Sequence, residues 1–154
     1  MIRSVSFVKE SIRVWQPDTN LKAIAPQQLM LRGLIRHEDY FKITVEDLEG
    51  NITEIVYDEV HTLEYYVWSF RLTTEMARYG VYYLTDVDES GLKEKGKAYF
   101  FKANSSQYIE WFDNQNPLYN SKTNPKLEHH IYITSDDVIE VLSEYEPLFI
   151  KKNN

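Results

Sequence analysis

The chain has no cysteine in its 154 residues. That excludes disulfides, thiolate catalysis and cysteine-ligated zinc together. Glycine is scarce, at 5 residues, and neither G-x-x-x-x-G-K-S/T nor G-x-G-x-x-G occurs, so no phosphate-cradling loop is encoded. Basic residues are outnumbered: 17 Lys and Arg stand against 24 Asp and Glu, a formal net charge of −7. Such a chain is a poor ligand for nucleic acid or an anionic membrane surface, because both are bound through Lys and Arg. No stretch approaches the roughly 20 apolar residues of a membrane span. The segment from Met1 to Val8 lacks the sustained apolar run of a secretory leader. A cytosolic setting is expected, and the N-x-S/T matches at Asn51 and Asn104 read as chance.

What is present is a strong aromatic complement, with 12 Tyr, 7 Phe and 3 Trp. Apolar residues make up 43% and charged residues 27%, both ordinary for a folded domain. Residues 1–154 are expected to form a single domain with room for a proper core.

Alternation of apolar and polar residues predicts strands over 2–8 and 29–37, with Ser11 to Trp15 either continuing the first or forming a short strand of its own. In the second of these, Leu29, Leu31, Gly33 and Ile35 would line one face, with Gly33 marking a bulge or a close backbone approach. The clearest hairpin runs from Tyr40 to Tyr57, turning at Asp47 to Asn51, where Gly50-Asn51 is a strong local turn signal. Further strands are expected over 81–87, 97–103 and 127–134, the first two paired as a hairpin, with a terminal strand or a core-packed tail at Leu148 to Ile150.

Three helices are expected. Val60, Leu63, Val67, Phe70, Thr74 and Ala77 are spaced 3-4-3-4-3, which predicts a helix over 58–79, against the strand propensity of Tyr65-Tyr66-Val67-Trp68 and the alternation of Tyr66, Trp68, Phe70 and Leu72. Its second face would carry Tyr65, Trp68, Leu72, Met76 and Tyr79. Ser105 or Ser106 caps a short helix through Phe112. Thr134 followed by Asp137 resembles a capping box and predicts a helix over 135–145. The fold class is α+β, a mostly antiparallel, hairpin-built sheet with about three helices packed on it.

No catalytic constellation stands out. Asp86-Val87-Asp88-Glu89-Ser90-Gly91 begins like a calcium loop, but Lys97 occupies the position where a bidentate glutamate is needed. His129 and His130 would point to opposite faces of a strand, which makes them poor co-ligands. No metal site, cofactor or G-x-S-x-G nucleophile elbow is expected.

Charge gives the more specific signal. On a helix, Asp136, Asp137, Glu140 and Glu144 would form an acidic stripe opposite Val138, Val141, Leu142 and Tyr145. The Asn-rich segment 113–126 adds Asp113 and Tyr119 beside Trp111, and loops of this kind often carry function. These seven residues, Asp136, Asp137, Glu140, Glu144, Trp111, Asp113 and Tyr119, are the candidate contacts for a basic protein partner. The functional expectation is a small acidic inhibitor, an immunity protein or antitoxin that occludes a basic toxin or nuclease effector. A small enzyme or ligand-binding domain with a Tyr/Trp/His-lined pocket is the alternative, as are a phage-encoded inhibitor and an oligomeric subunit.

Overall fold

A computed structural model describes residues 10–61, 65–74, 86–88 and 99–152. They form ten strands, one α-helix and a short 3-10 turn at Pro26–Gln28. The strands are β1 Ser11–Val14, β2 Leu29–Arg36, β3 Phe41–Asp47, β4 Ile52–Tyr57, β5 Ser69–Thr74, β6 Asp86–Asp88, β7 Phe100–Ser105, β8 Glu128–Ile133, β9 Asp137–Ser143 and β10 Leu148–Lys152; the helix α1 spans Gln107–Gln115. Two sheets result, one in the order β5-β9-β8-β7-β1-β6 and one in the order β10-β4-β3-β2. Every pairing is antiparallel except that of β1 with β6. The expected α+β class with three packed helices is therefore corrected: this is an antiparallel two-sheet fold with one helix among the described residues.

The sheets face each other across one core. Phe41, Ile43, Val45, Ile55 and Tyr57 of the smaller sheet meet Phe100, Tyr132, Ile139 and Val141 of the larger. Ring contacts cross the interface, with Phe41 to Phe70 at 4.7 Å and Trp15 to Phe149 at 5.4 Å between centroids. The larger sheet is buried on its outer face too. Ile12, Phe101, Ile131, Ile133 and Val138 form a second apolar cluster there. A third gathers Tyr108 and Phe112 of α1 over Trp68, Leu127 and Leu142. Helix α1 starts as expected, at Ser106, whose hydroxyl accepts the Ile109 N–H at 2.9 Å.

Two expected helices are strands, and the reason is shared. The Thr134–Asp137 signature is real, since the Thr134 hydroxyl accepts the Asp137 N–H at 3.2 Å. But the Thr134 N–H also donates to the Asp137 carbonyl at 2.9 Å, which closes a hairpin between β8 and β9 instead of opening a helix. The β-branched Val138, Ile139 and Val141 then suit a strand covered on both faces. Within the expected helix 58–79, residues 69–74 are β5, paired with β9 from Ser69 to Leu142 through Thr74 to Asp137. The Tyr65–Trp68 run itself lies just before the strand, joined to β9 by the Trp68 N–H on the Leu142 carbonyl, while the alternation that continues through Phe70 and Leu72 is realised as β5 and the 3-4 spacing is not. The rest of that expected helix at 62–64 and 75–79 lies outside the described residues, as do the expected strand 2–8 and most of 81–98. The expected 81–87/97–103 hairpin is not formed by the described parts: β1 sits between β6 and β7.

The Tyr40–Tyr57 hairpin forms as expected, in register from Phe41–Tyr57 to Glu46–Ile52. The bulge expected at Gly33 is present: the β2–β3 register shifts between Leu31 and Gly33. Its consequence differs from simple alternation. One extra residue turns the strand over, so Leu34 faces Ile43 and packs on the core while Ile35 is exposed.

The hairpin turn is built on Asp47, which is buried. Its carboxylate accepts from the N–H groups of Lys22 (2.6 Å), Glu49 (2.9 Å) and Asn51 (2.9 Å) and from the Asn51 side-chain amide (2.9 Å). Gly50 takes a φ of 85°, where only glycine is unstrained. Burial alone would raise the Asp47 carboxyl, but these donors outweigh it and hold it below the usual range. Asp47→Ala should therefore cost about 2 kcal/mol, read as a lower urea midpoint. Leu48→Ala, one residue on at a fully solvated position, should leave the midpoint within error.

Candidate functional site

The seven residues expected at a partner surface are placed very differently by the structure. Because β9 is a strand, the acidic stripe does not exist. Glu140 is fully buried on the outer face of the larger sheet, and Asp137 and Glu144 are half-buried. Asp136, in the β8–β9 turn, is the one exposed acid of the four. The aromatic part of the expectation is at the surface: Trp111 is 55% and Tyr119 47% exposed, and Leu118, which sequence reasoning missed, is 77% exposed. Asp113 serves as the fastener of this segment. Its carboxylate accepts from the Ser121 N–H at 2.8 Å and binds the Ser121 hydroxyl. Asn120, itself buried, donates to the carbonyls of Asn116 (3.0 Å) and Pro117 (3.2 Å) and accepts from the Lys122 N–H (3.0 Å). The loop after α1 is thus tied back onto the helix end while its apolar side chains point outward.

The expected second stripe of the 58–79 helix is also dispersed. Trp68 is buried against Phe112, Tyr65 and Leu72 are exposed, and Met76 lies outside the described residues.

Two buried polar lines run on either side of β8. Its alternation sends His129 outward and His130 inward, and both are fully buried rather than at the surface. On the outer face, His129 Nε2 is 3.0 Å from Glu140 Oε1 and its Nδ1 is 2.7 Å from Ser106 Oγ. A carboxylate only accepts, so Nε2 donates to Glu140, while the serine hydroxyl is the partner of Nδ1. Arg71, the cross-strand partner of Glu140, closes the line with a two-pronged contact at 2.6 and 2.9 Å. Its guanidinium lies 4.1 Å from the Tyr108 ring centroid. Burial would raise the Glu140 carboxyl, but the hydrogen bonds from His129 and Arg71 prevail and hold it at about 2. Glu10, also buried, brings Oε1 within 3.6 Å of His129 Nδ1.

On the inner face, Tyr57 bonds the Tyr132 hydroxyl at 2.6 Å and His130 Nδ1 at 2.7 Å. His130 Nε2 reaches Glu128 Oε1 at 3.4 Å. Lys102, the register partner of His130, binds the other Glu128 oxygen at 3.2 Å, contacts Glu146 and sits 4.6 Å from the Trp15 ring centroid. Burial lowers the His130 imidazole, against the pull of Glu128. The His130 hydrogen bond, aided by Lys102, brings the Glu128 carboxyl to about 2 despite burial. A third histidine, His61, holds the chain near the end of β9: its Nδ1 donates to the Tyr65 carbonyl at 2.8 Å and its Nε2 accepts the Glu144 N–H at 3.0 Å. Burial lowers it as well.

Among the described residues, no group of three or more His, Asp or Glu side chains is placed to hold a metal ion, and no helix is long and apolar enough to cross a membrane. Comparison with protein-family models, with curated proteins and with solved structures finds no match.

The buried groups make stability depend on acid in two steps. His61 and His130 are lowered from 6.5, so the unfolded chain takes up protons first as pH falls through that value. Glu128 and Glu140 are lowered from 4.5 to about 2, so their contribution is intact above 4.5 and lost as pH falls toward 2. Urea midpoints measured at pH about 7.5, 5.5 and 3.5 should fall at each step. A midpoint constant from pH 7.5 to 3.5 would contradict these assignments.

Proposed function

We propose that this chain is a small acidic protein-binding inhibitor, an immunity protein or antitoxin that covers a basic toxin or nuclease effector in the cytosol. The observation that carries this reading is the segment 111–119, where Trp111 is exposed on helix α1 and Leu118 and Tyr119 on the loop that follows it, which Asp113 and Asn120 pin to the helix end. Large aromatics on a pre-ordered support are what interface anchors require, because little entropy is lost on binding. The net charge of −7 selects a cationic partner and speeds encounter with it. Of the two contacts expected from the sequence, the acidic stripe is withdrawn and the segment around Trp111 and Tyr119 is kept, with charge acting through the whole field of the molecule.

The test is affinity capture by the wild-type chain beside the double variant Trp111→Ala/Tyr119→Ala. A basic protein held by the wild type, lost by the variant and released by salt is the expected result. Each anchor should weaken a measured Kd by about 30-fold, the effect of roughly 2 kcal/mol. A partner bound equally by the variant would place the contact elsewhere, and binding indifferent to salt would remove the electrostatic part.

A hydrolytic enzyme is the second reading, favoured by the Ser106–His129–Glu140 line. Serine, imidazole and carboxylate stand in hydrogen-bonded order there, as nucleophilic catalysis needs. Two features weigh toward a structural role: His129 is fully buried, and Ser106 Oγ already caps α1. Labelling of Ser106 by a fluorophosphonate probe, lost in His129→Ala, would favour the enzyme. An unreactive Ser106 in the folded chain would leave it as a helix cap.

A further inference from the structure

The end of β2, the turn into β3 and the segment 65–67 line a pocket of about 250 Å³. Phe41 and Val67, both core residues, form part of its lining. Much of the rest is aromatic. His37 stacks on Tyr40 with centroids 4.6 Å apart and planes 11° from parallel. Tyr65 and Tyr66 complete the ring-lined part, and Tyr65 is 55% exposed, an unusual place for a large ring.

The charges at this pocket are specific. Arg36 and Glu38 both line it, both are exposed, and they stand two residues apart. Among the described residues Arg36 has no carboxylate within ion-pair distance and Glu38 has no cation there. The guanidinium carbon of Arg36 lies 5.6 Å from the Tyr65 ring centroid. Nearby Lys42 differs, being paired with Glu54 at 2.8 Å. One free cation and one free anion therefore flank a small ring-lined slot.

We propose that this pocket binds a small zwitterion with a planar side chain, a free α-amino acid of the aromatic class. The ligand carboxylate meets Arg36, whose fork matches it in two parallel hydrogen bonds. Its ammonium meets Glu38, and its ring lies among Tyr40, Tyr65 and Tyr66 in offset or edge contact. A ligand with only one charge leaves either Arg36 or Glu38 unanswered and brings no compensating contact. The site uses none of residues 111–119, so it stands apart from the proposed partner surface.

The experiment titrates the full chain with L-tryptophan, tryptamine and indole-3-propionate, read by ligand-observed NMR and calorimetry. Tryptophan should bind with a Kd on the order of 1 mM or tighter, and each single-charge analogue about 10-fold more weakly. Arg36→Ala should abolish the preference over tryptamine. Glu38→Gln should abolish the preference over indole-3-propionate. Both positions are solvated, so an unchanged far-UV spectrum and urea midpoint are expected alongside. No tryptophan binding, analogues that bind as tightly as tryptophan, or variants that keep the full preference would each overturn the proposal.

Discussion

Strand β8 is covered on both faces, so each polar side chain on it must find its partner inside the protein. This constraint organises the larger sheet. His129 can remain on the outer face because Glu140 and Ser106 take its two ring nitrogens, and Glu140 can remain because Arg71 answers its charge. His130 can remain on the inner face because Tyr57 and Glu128 do the same, with Lys102 behind them. Neighbouring strands supply these partners in register: Arg71 opposite Glu140, Lys102 opposite His130. Slipping either pairing by one residue would send every one of these groups to the wrong face. The polar lines thus specify pairing as well as tolerate burial.

The two lines differ in what they connect. The inner one links buried Tyr132 through Tyr57 and His130 to Glu128 near the sheet margin, and its rings also fill the core beside Trp15. The outer one reaches the first turn of α1 through Ser106, so the helix that carries Trp111 is moored to the sheet by a hydrogen bond as well as by Tyr108 and Phe112. Arg71 against the Tyr108 ring adds a second mooring. A rigid seat for α1 is what makes an outward-facing aromatic on that helix usable as an anchor.

How much could be read from the chain follows the same physics. The Phe41–Tyr57 hairpin was legible because one of its faces points into the core and the other does not, which writes period two into the sequence. The bulge at Gly33 was legible, but not that it would expose Ile35 and bury Leu34. Strand β9 was not legible. With both faces covered, Val138 to Leu142 lost its alternation, and a short apolar run then matches a helix as well as a strand. The Thr134–Asp137 bond is shared by capping boxes and tight hairpins, so the local signal was ambiguous in principle. Glu140 was misplaced for that reason: on a helix it belongs to a solvated stripe, on β9 it points at His129. The Trp111–Tyr119 segment was found from its loop-like composition, whereas Leu118 gave no signal. The pocket at Arg36 was invisible, because it joins the end of β2 to residues about thirty positions later in a stretch read as helix.

The smaller sheet ends at β10 on one side and at β2 on the other. Lys151 and Lys152 stand on the first edge, and the offset at Leu31 and Gly33 breaks the second. A further strand approaching either side meets charge or a misaligned ladder rather than a continuous row of free amides and carbonyls. The smaller sheet therefore offers a poor template for strand-to-strand polymerisation, while the exposed rings of the helix side sit on the larger one. At those two edges, association is left to side chains, where it can be selective.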